Sequence, residues 1–526
     1  MDIEGAWAST CKIIFGAQIG DIDDFAPYLQ KYVQQPSSKV SAFSGKKVTV
    51  AEENFCPQAK FMANEEQPLY EKKLAKMKLD INAIKDFDSI LEALDERLYY
   101  SGNIVLGKSG SVVDSNRCTN SSNVYKSSDI YESKFIAYCR SVRYSNCTFG
   151  SDLAAHDEYA IKMFDCRNVI RSLEACYTFY SSDCFYVGNI EGCSHCMFSF
   201  NIKSKNYCIG NLELSKDDYF RLRKSLLEQM GRELESKKSL PGIIDVIGSK
   251  REYTKKASGD WHKKPANASA PKEIEQAFAS TTAVLLGKKL GGIDNYAAWL
   301  TSHVPAMIKD KSALSDEIVY VMALHFSGKM LGSYIKVEEA RAHAQKKLTK
   351  EEAGALALAN ASQKLQGIKQ ISPEIILGRN INLVEAAAYA DSAHCYNGSI
   401  YSYDKYCAYC FWPRESEYVF GSSQTFLSKF CLKCYNSNNL TRCFEVSDSN
   451  ACSDCYFCHN SENLDNCMFC FNTKSKRYAI GNVEVGRESY LKVKNIVLEG
   501  ICKKIEKEKG LGLSIYDLGC AKEAQV

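Results

Sequence analysis

Cysteine returns every twelve residues, at Cys431, Cys443, Cys455 and Cys467, and a second file follows three residues later at Cys434, Val446, Cys458 and Cys470. A spacing held that strictly, with no insertion, predicts one supersecondary unit stacked on copies of itself. Stepping back by twelve from Cys431 reaches Val419, Cys407 and Cys395, and stepping forward from Cys467 reaches Ala479, so every occupant is small or apolar. Inward positions that recur every third residue cannot come from one extended strand, whose side chains alternate with a period of two. Short strands joined by tight corners can supply them. Twelve residues at about 3.3 Å each limit the circuit to about 40 Å, so the expected interior is narrow and suits Cys, Ser, Thr, Ala and Val. The pattern predicts a parallel β-solenoid with twelve-residue coils.

Residues between the inward files suit corners and outer faces. Asn436, Asp448, Asn460 and Asn472 form another twelve-spaced file, and Asn and Asp tolerate left-handed backbone and can ladder from coil to coil. Phe444, Tyr456, Phe457, Met468 and Phe469 face outward. Apolar groups that large predict a covering layer or a partner.

The chain is also written twice. Gly16 matches Gly287, Ser101 matches Ser372 and Cys196 matches Cys467, each 271 residues apart and without a gap. The expected fold is α+β: a tandem duplication of a module with a helical N-terminal part, a solenoid and a C-terminal capping helix. The first module spans 1–248, with helices in 1–100, solenoid in 124–211 and cap in 215–237. A polar, basic linker is expected over 249–272. The second module spans 273–526, with helices in 273–367, solenoid in 383–482 and cap in 487–507. Apolar stripes at Phe25, Tyr28, Leu29 and Tyr32, and at Tyr296, Trp299, Leu300 and His303, predict helices, as do Glu71–Leu98 and Val337–Gly367. Each solenoid ends in Ile-Gly-Asn, at Ile209–Asn211 and Ile480–Asn482, as an exit turn.

At 526 residues, 45% hydrophobic and 25% charged, the chain can bury large cores, and its formal charge of +3 gives no general pull toward nucleic acid or acidic membranes. It has neither an apolar run of about 18 residues nor a signal-peptide pattern at its start, which points to a cytoplasmic protein, with a component of a viral or other large particle as the alternative. In a reducing compartment the 24 cysteines stay thiols. Under oxidation, consecutive file members about 4.8 Å apart fall within disulfide reach.

The stretch Cys196–Tyr219 carries a C-x-x-C coil, then Tyr207, Cys208, Ile209 and Asn211, then Ser215, Lys216 and Tyr219 opening a helix. It resembles the terminal signature of cysteine-rich β-solenoid repeat proteins of unknown function predicted from microbial and phage genomes. The second copy departs from that signature at Ala479, Gly486 and Arg487 and keeps Tyr478, Ile480, Asn482 and Tyr490. The resemblance covers the solenoid and the helix after it, implies the fold, and carries no catalytic residue.

Zinc is the sharpest chemical alternative, because Cys431 and Cys434 followed by Cys452 and Cys455 have ribbon spacing. Packing is favoured over it: a zinc site needs four specific ligands, whereas equivalent files hold Val, Ile, Thr, Ala, Ser and Met. His195 and His459 beside neighbouring cysteines read as corner or surface residues. His394-Cys395 and Cys458-His459 are the nearest nucleophile pairs, but strand neighbours point to opposite faces. Gly102–Ser109 fits phosphate-loop spacing without the following helix that such a loop needs. Lys203, Lys205, Lys474 and Lys476 read as guards of a sheet edge. No catalytic or cofactor-binding residue is assigned. The expected function is a non-enzymatic structural or assembly scaffold acting through protein partners or self-assembly; a zinc-binding or thiol-dependent enzyme, with its site between helices and solenoid, is the alternative.

Overall fold

The computed structural model describes residues 1–250 and 269–520, so most of the expected 249–272 linker lies outside the described residues. The chain is α+β. Short strands pair in parallel with the strand twelve residues on: Val124 lies beside Ile136 and Ile136 beside Thr148, while Cys431 lies beside Cys443 and Cys455 beside Cys467. A second face repeats the register, with Cys118 beside Ile130 and Thr425 beside Ser437. The parallel sheet thus curls round on itself, and the chain returns alongside its own path after each twelve-residue lap. These ladders begin at Val105 and Ile376, earlier than the expected 124 and 383.

Corners are denser than the Asn/Asp file suggested. From Ser111 to Gly210, and again from Asn382 to Gly481, every third residue has a left-handed φ. Tyr138, Cys147, Leu153, Phe430 and Lys433 are among them, although for such residues this backbone costs roughly 1–2 kcal/mol. Interlocking hydrogen bonds offset the strain. The residue after a corner points inward, and where the inward residue one lap earlier is polar, its side chain meets the backbone N–H. Ser127 Oγ donates to the Tyr125 carbonyl at 2.8 Å and accepts from the Cys139 N–H at 3.0 Å; Cys139 Sγ accepts in turn from the Ser151 N–H at 3.3 Å. Small polar side chains therefore satisfy backbone groups that would otherwise be orphaned in a dry interior, and the thiols do more than fill space.

A large side chain enters that interior opposite a glycine. Tyr401 is fully buried inside the second ladder, its hydroxyl donating to the Tyr396 carbonyl at 3.0 Å. A Cβ on Gly398 would lie 2.4 Å from that hydroxyl, so glycine is what leaves room for the ring.

Helices and loops wrap the outer faces. Ile3–Phe15 starts at Asp2, whose carboxylate accepts the Gly5 N–H, and buries Trp7 against Phe149 with ring centroids 5.4 Å apart. Lys272–Leu286 sets Phe278 at 5.4 Å from Phe420, both residues 271 beyond their counterparts. The expected covering layer over Phe444, Tyr456, Phe457, Met468 and Phe469 is present, since all five are buried. Other helices are shorter than expected. Glu71–Leu98 breaks into Gln67–Leu74 and Phe87–Leu94, and Val337–Gly367 into Val337–His343, Lys350–Gly354 and Leu358–Lys364. The first stripe ends at Gln30, and Tyr32 has a φ of 73°. Phe25, Tyr28 and Leu29, and Tyr296, Trp299 and Leu300, are buried, but the α-helices that carry these stripes run only from Ala26 to Gln30 and from Ala297 to Leu300.

Each wrapping arm crosses to the opposite half. In the first arm, Tyr100 packs on His459 and Phe471 of the second ladder, at 5.2 and 5.6 Å, and Asn472 Nδ2 donates to the Tyr99 carbonyl at 2.7 Å. In the second, Phe326 packs on Phe164 at 5.2 Å and Asn201 Nδ2 donates to the Gln370 carbonyl at 2.7 Å. Asn201 and Asn472, and likewise Tyr99 and Gln370, are 271 apart. The exit turns have left-handed Gly210, Asn211, Gly481 and Asn482, and the crossing arms close over them: the Leu348 N–H donates to the Gly210 carbonyl at 2.9 Å, and Arg97 to the Gly481 carbonyl at 3.3 Å. The helices Lys216–Lys237 and Arg487–Glu508 follow as expected, but they share the task of covering the last lap with these arms.

Candidate functional site: the junction between the halves

Two buried lysine–carboxylate pairs pin the short helices to the ladders. Lys433 Nζ donates to the Trp299 carbonyl and to Ser302 Oγ, both at 2.8 Å, and lies 3.8 Å from Glu445, with both side chains fully buried. Glu445 accepts the Ile515 N–H at 2.9 Å. Lys162 donates likewise to the Tyr28 and Lys31 carbonyls at 3.0 and 2.8 Å, while Glu174 accepts from Tyr28 Oη and the Ile243 N–H, each at 2.8 Å. Burial pushes both glutamates up to about 7, against the pull of their lysines.

Where the ladders meet, Arg117 of the first half reaches Asp448 of the second at 2.5 Å and also contacts Glu52 at 3.2 Å and Asp129 at 3.4 Å. Burial works against its charge, but Asp448, Asp129 and Glu52 outweigh it and hold the guanidinium protonated. Beside this cluster a cleft of ≈ 950 Å³ opens between the halves. Its walls include residues at matching positions with different chemistry: Arg140 has Phe411 as its counterpart 271 residues on, Asp152 has Ser423, and Tyr32 has His303. Asp152 is 3% exposed, and burial raises its carboxyl to about 6 although Arg140 pulls the other way. His303 is pushed down to about 4 by burial and by Lys433, so it is neutral near pH 7. The cleft can hold a polar ligand against a carboxyl that titrates close to neutrality. Sequence reading did not find it, since its residues are spread from Tyr32 to Tyr516 and none belongs to a compact motif.

The residues singled out from sequence lie elsewhere. Cys431, Cys434, Cys452 and Cys455 are buried in the second ladder, their sulfurs against the backbone carbonyls of Lys429, Leu432, Asn450 and Ser453 at 3.2–3.7 Å. They stand in three different files, and among the described residues no group of three or more His, Cys, Asp and Glu is placed to hold a metal ion. His195 stacks on Tyr207 and His394 on Tyr406, away from the inward cysteines beside them. His459 is buried, with Nε2 accepting the Ser101 N–H at 3.2 Å and Nδ1 2.8 Å from Ser447 Oγ, so both ring nitrogens are occupied. Gly102–Ser109 runs from the strand Tyr100–Gly102 into Val105–Leu106 and then Gly110–Val113, with no helix to complete a phosphate loop. Lys203, Lys205 and Lys474 pair with Glu191, Glu213 and Glu462.

The cysteine files are free thiols, and burial pushes Cys139 up to about 12. One disulfide was not anticipated: Cys56, on the first arm, is bonded to Cys520, 464 residues later, with Cα atoms 6.6 Å apart. Both cysteines lie outside the periodic files, which is why the spacing argument passed over them. Among the described residues no helix is long and apolar enough to cross a membrane. Comparison with protein-family models, curated proteins and solved structures gives no match.

Proposed function

We propose that the chain is a tandemly duplicated β-solenoid with twelve-residue coils that serves as a non-enzymatic scaffold, presenting rigid faces to protein partners or to copies of itself in a larger assembly. The observation that carries this reading is the reciprocal crossing of the arms, in which Asn472 holds Tyr99 and Asn201 holds Gln370 through the same 2.7 Å contact. Each half completes the surface of the other, as protomers do in an exchanged dimer, and the result resists relative motion of the halves. Thiols committed to backbone carbonyls in a dry interior fit support rather than reactivity. The resemblance to cysteine-rich repeat proteins agrees with this architecture and adds no activity. Sedimentation velocity of the purified protein over micromolar concentrations tests the proposal. Species larger than one chain that grow with concentration are expected; a single-chain species throughout, unaltered by extract from its source, refutes it.

A further inference from the structure

A second cavity, of ≈ 580 Å³, opens where the two ladders meet, and Arg143 and Arg414 both line it. These arginines occupy the same position in the two halves, 271 residues apart. Their juxtaposition brings like charge to like, which needs compensation when solvent is partly excluded. Arg117, which also lines the cavity, has three carboxylates of its own. Among the described residues the Arg414 side chain pairs only with its chain neighbour Glu415, at 3.3 Å, with both side chains 45% exposed, a pairing of little strength in water. Among the described residues the Arg143 side chain has neither a hydrogen bond nor an ion pair; its guanidinium carbon sits 4.6 Å from the centre of the Trp412 ring and 4.7 Å from that of Phe426. Burial, and then Arg414, push Arg143 down to about 10, so it is still a cation at neutral pH.

Ring contact satisfies the faces of a guanidinium and leaves its in-plane N–H groups without acceptors, the arrangement suited to bidentate binding of an oxyanion. Tyr131 and Tyr144 stand at the same cavity, 36% and 45% exposed, with ring centroids 5.4 Å apart, and offer aromatic surface to whatever carries the charge.

We propose that this cavity is a binding site for a small oxyanion ligand, whose phosphate or carboxylate group is held between Arg143 and Arg414. The site is separate from the scaffold reading and stands whether or not the protein assembles. Its test is titration calorimetry on the full-length protein with sodium pyrophosphate and with citrate at matched ionic strength, using chloride as the blank. Saturable binding of at least one is expected, with pyrophosphate preferred if the natural group is a phosphate and citrate if it is a carboxylate. Arg414→Gln, at an exposed position that leaves packing intact, is expected to weaken binding by about tenfold or more; Arg143→Gln is expected to abolish it. Lys203→Gln, remote and already paired, should leave it unchanged. Absence of saturable binding by either probe at millimolar concentration overturns the proposal, and so does equal binding by the wild type and Arg414→Gln.

Discussion

Replacing Lys433 by methionine keeps an unbranched stem in the same space and removes the ammonium. The wild-type group makes two 2.8 Å hydrogen bonds to the Trp299–Ser302 segment and faces Glu445 at 3.8 Å, all out of contact with water. Without it, the Glu445 carboxylate keeps the Ile515 N–H at 2.9 Å and loses its counter-charge. Leaving one member of such a pair buried alone costs about 3–5 kcal/mol. Burial already raises Glu445 to about 7, so in Lys433→Met the side chain can take up a proton, and the loss should be smaller at pH 5 than at pH 8. Adding Glu445→Gln removes the stranded charge while keeping an acceptor for Ile515. The double variant is therefore expected within about 2 kcal/mol of wild type, with a coupling energy of about 3 kcal/mol. Urea unfolding followed by circular dichroism and by tryptophan fluorescence measures these differences, and Trp299 lies beside the substitution. If the double variant loses the sum of the two single effects, the pair is not energetically coupled and the reasoning fails. The equivalent pair, Lys162 and Glu174, should behave alike.

Three further outcomes follow from the interior and the clasp. Asp157 is 1% exposed and burial raises its carboxyl to about 8, whereas the unfolded chain releases that proton near 3.9. The folded state therefore holds the extra proton between those values, and stability falls as pH rises from about 4 to about 8, with a ceiling of about 6 kcal/mol from this one group; in Asp157→Asn that part of the pH dependence should vanish, and an unchanged unfolding profile from pH 5 to 8 would count against it. Under native conditions an excess of a thiol reagent should leave the file cysteines unlabelled until the protein unfolds, while Cys56 and Cys520 label first once reduced; rapid labelling at Cys455 or Cys467 contradicts a packing role. Cys520→Ser should make the segment around Tyr516 the earliest site of proteolysis with little change in overall circular dichroism, and an unaltered digestion pattern would show that the disulfide adds nothing to its attachment.

The periodic part of the fold was legible because its physics is local. A corner every third residue forces every third side chain inward, where it must fit a narrow interior and, at the positions that meet a backbone N–H, be polar, so Ser127, Cys139 and Ser151 write the geometry directly into the sequence. The non-Asn corners were not legible, since nothing intrinsic to Phe430 or Lys433 favours left-handed backbone; ladder hydrogen bonds impose it. Nor was the helix breakage after Gln30 legible, for an apolar stripe records burial and not the shape of the surface that buries it. The residues of the cleft and the arginine pair left no motif at all, because each wall is drawn from both halves.

By itself the sequence determined the twelve-residue repeat, the inward files, the 271-residue correspondence and the presence of a covering layer. Each of these rests on contacts between residues a fixed distance apart in the chain. Tertiary structure alone decided that the arms cross to the opposite half, that Arg117 meets Asp448, that Arg143 faces Arg414 and that Cys56 meets Cys520. Two equivalent surfaces could each have accepted their own arm, and the choice between folding back and crossing over depends on packing between distant segments, which no local pattern encodes.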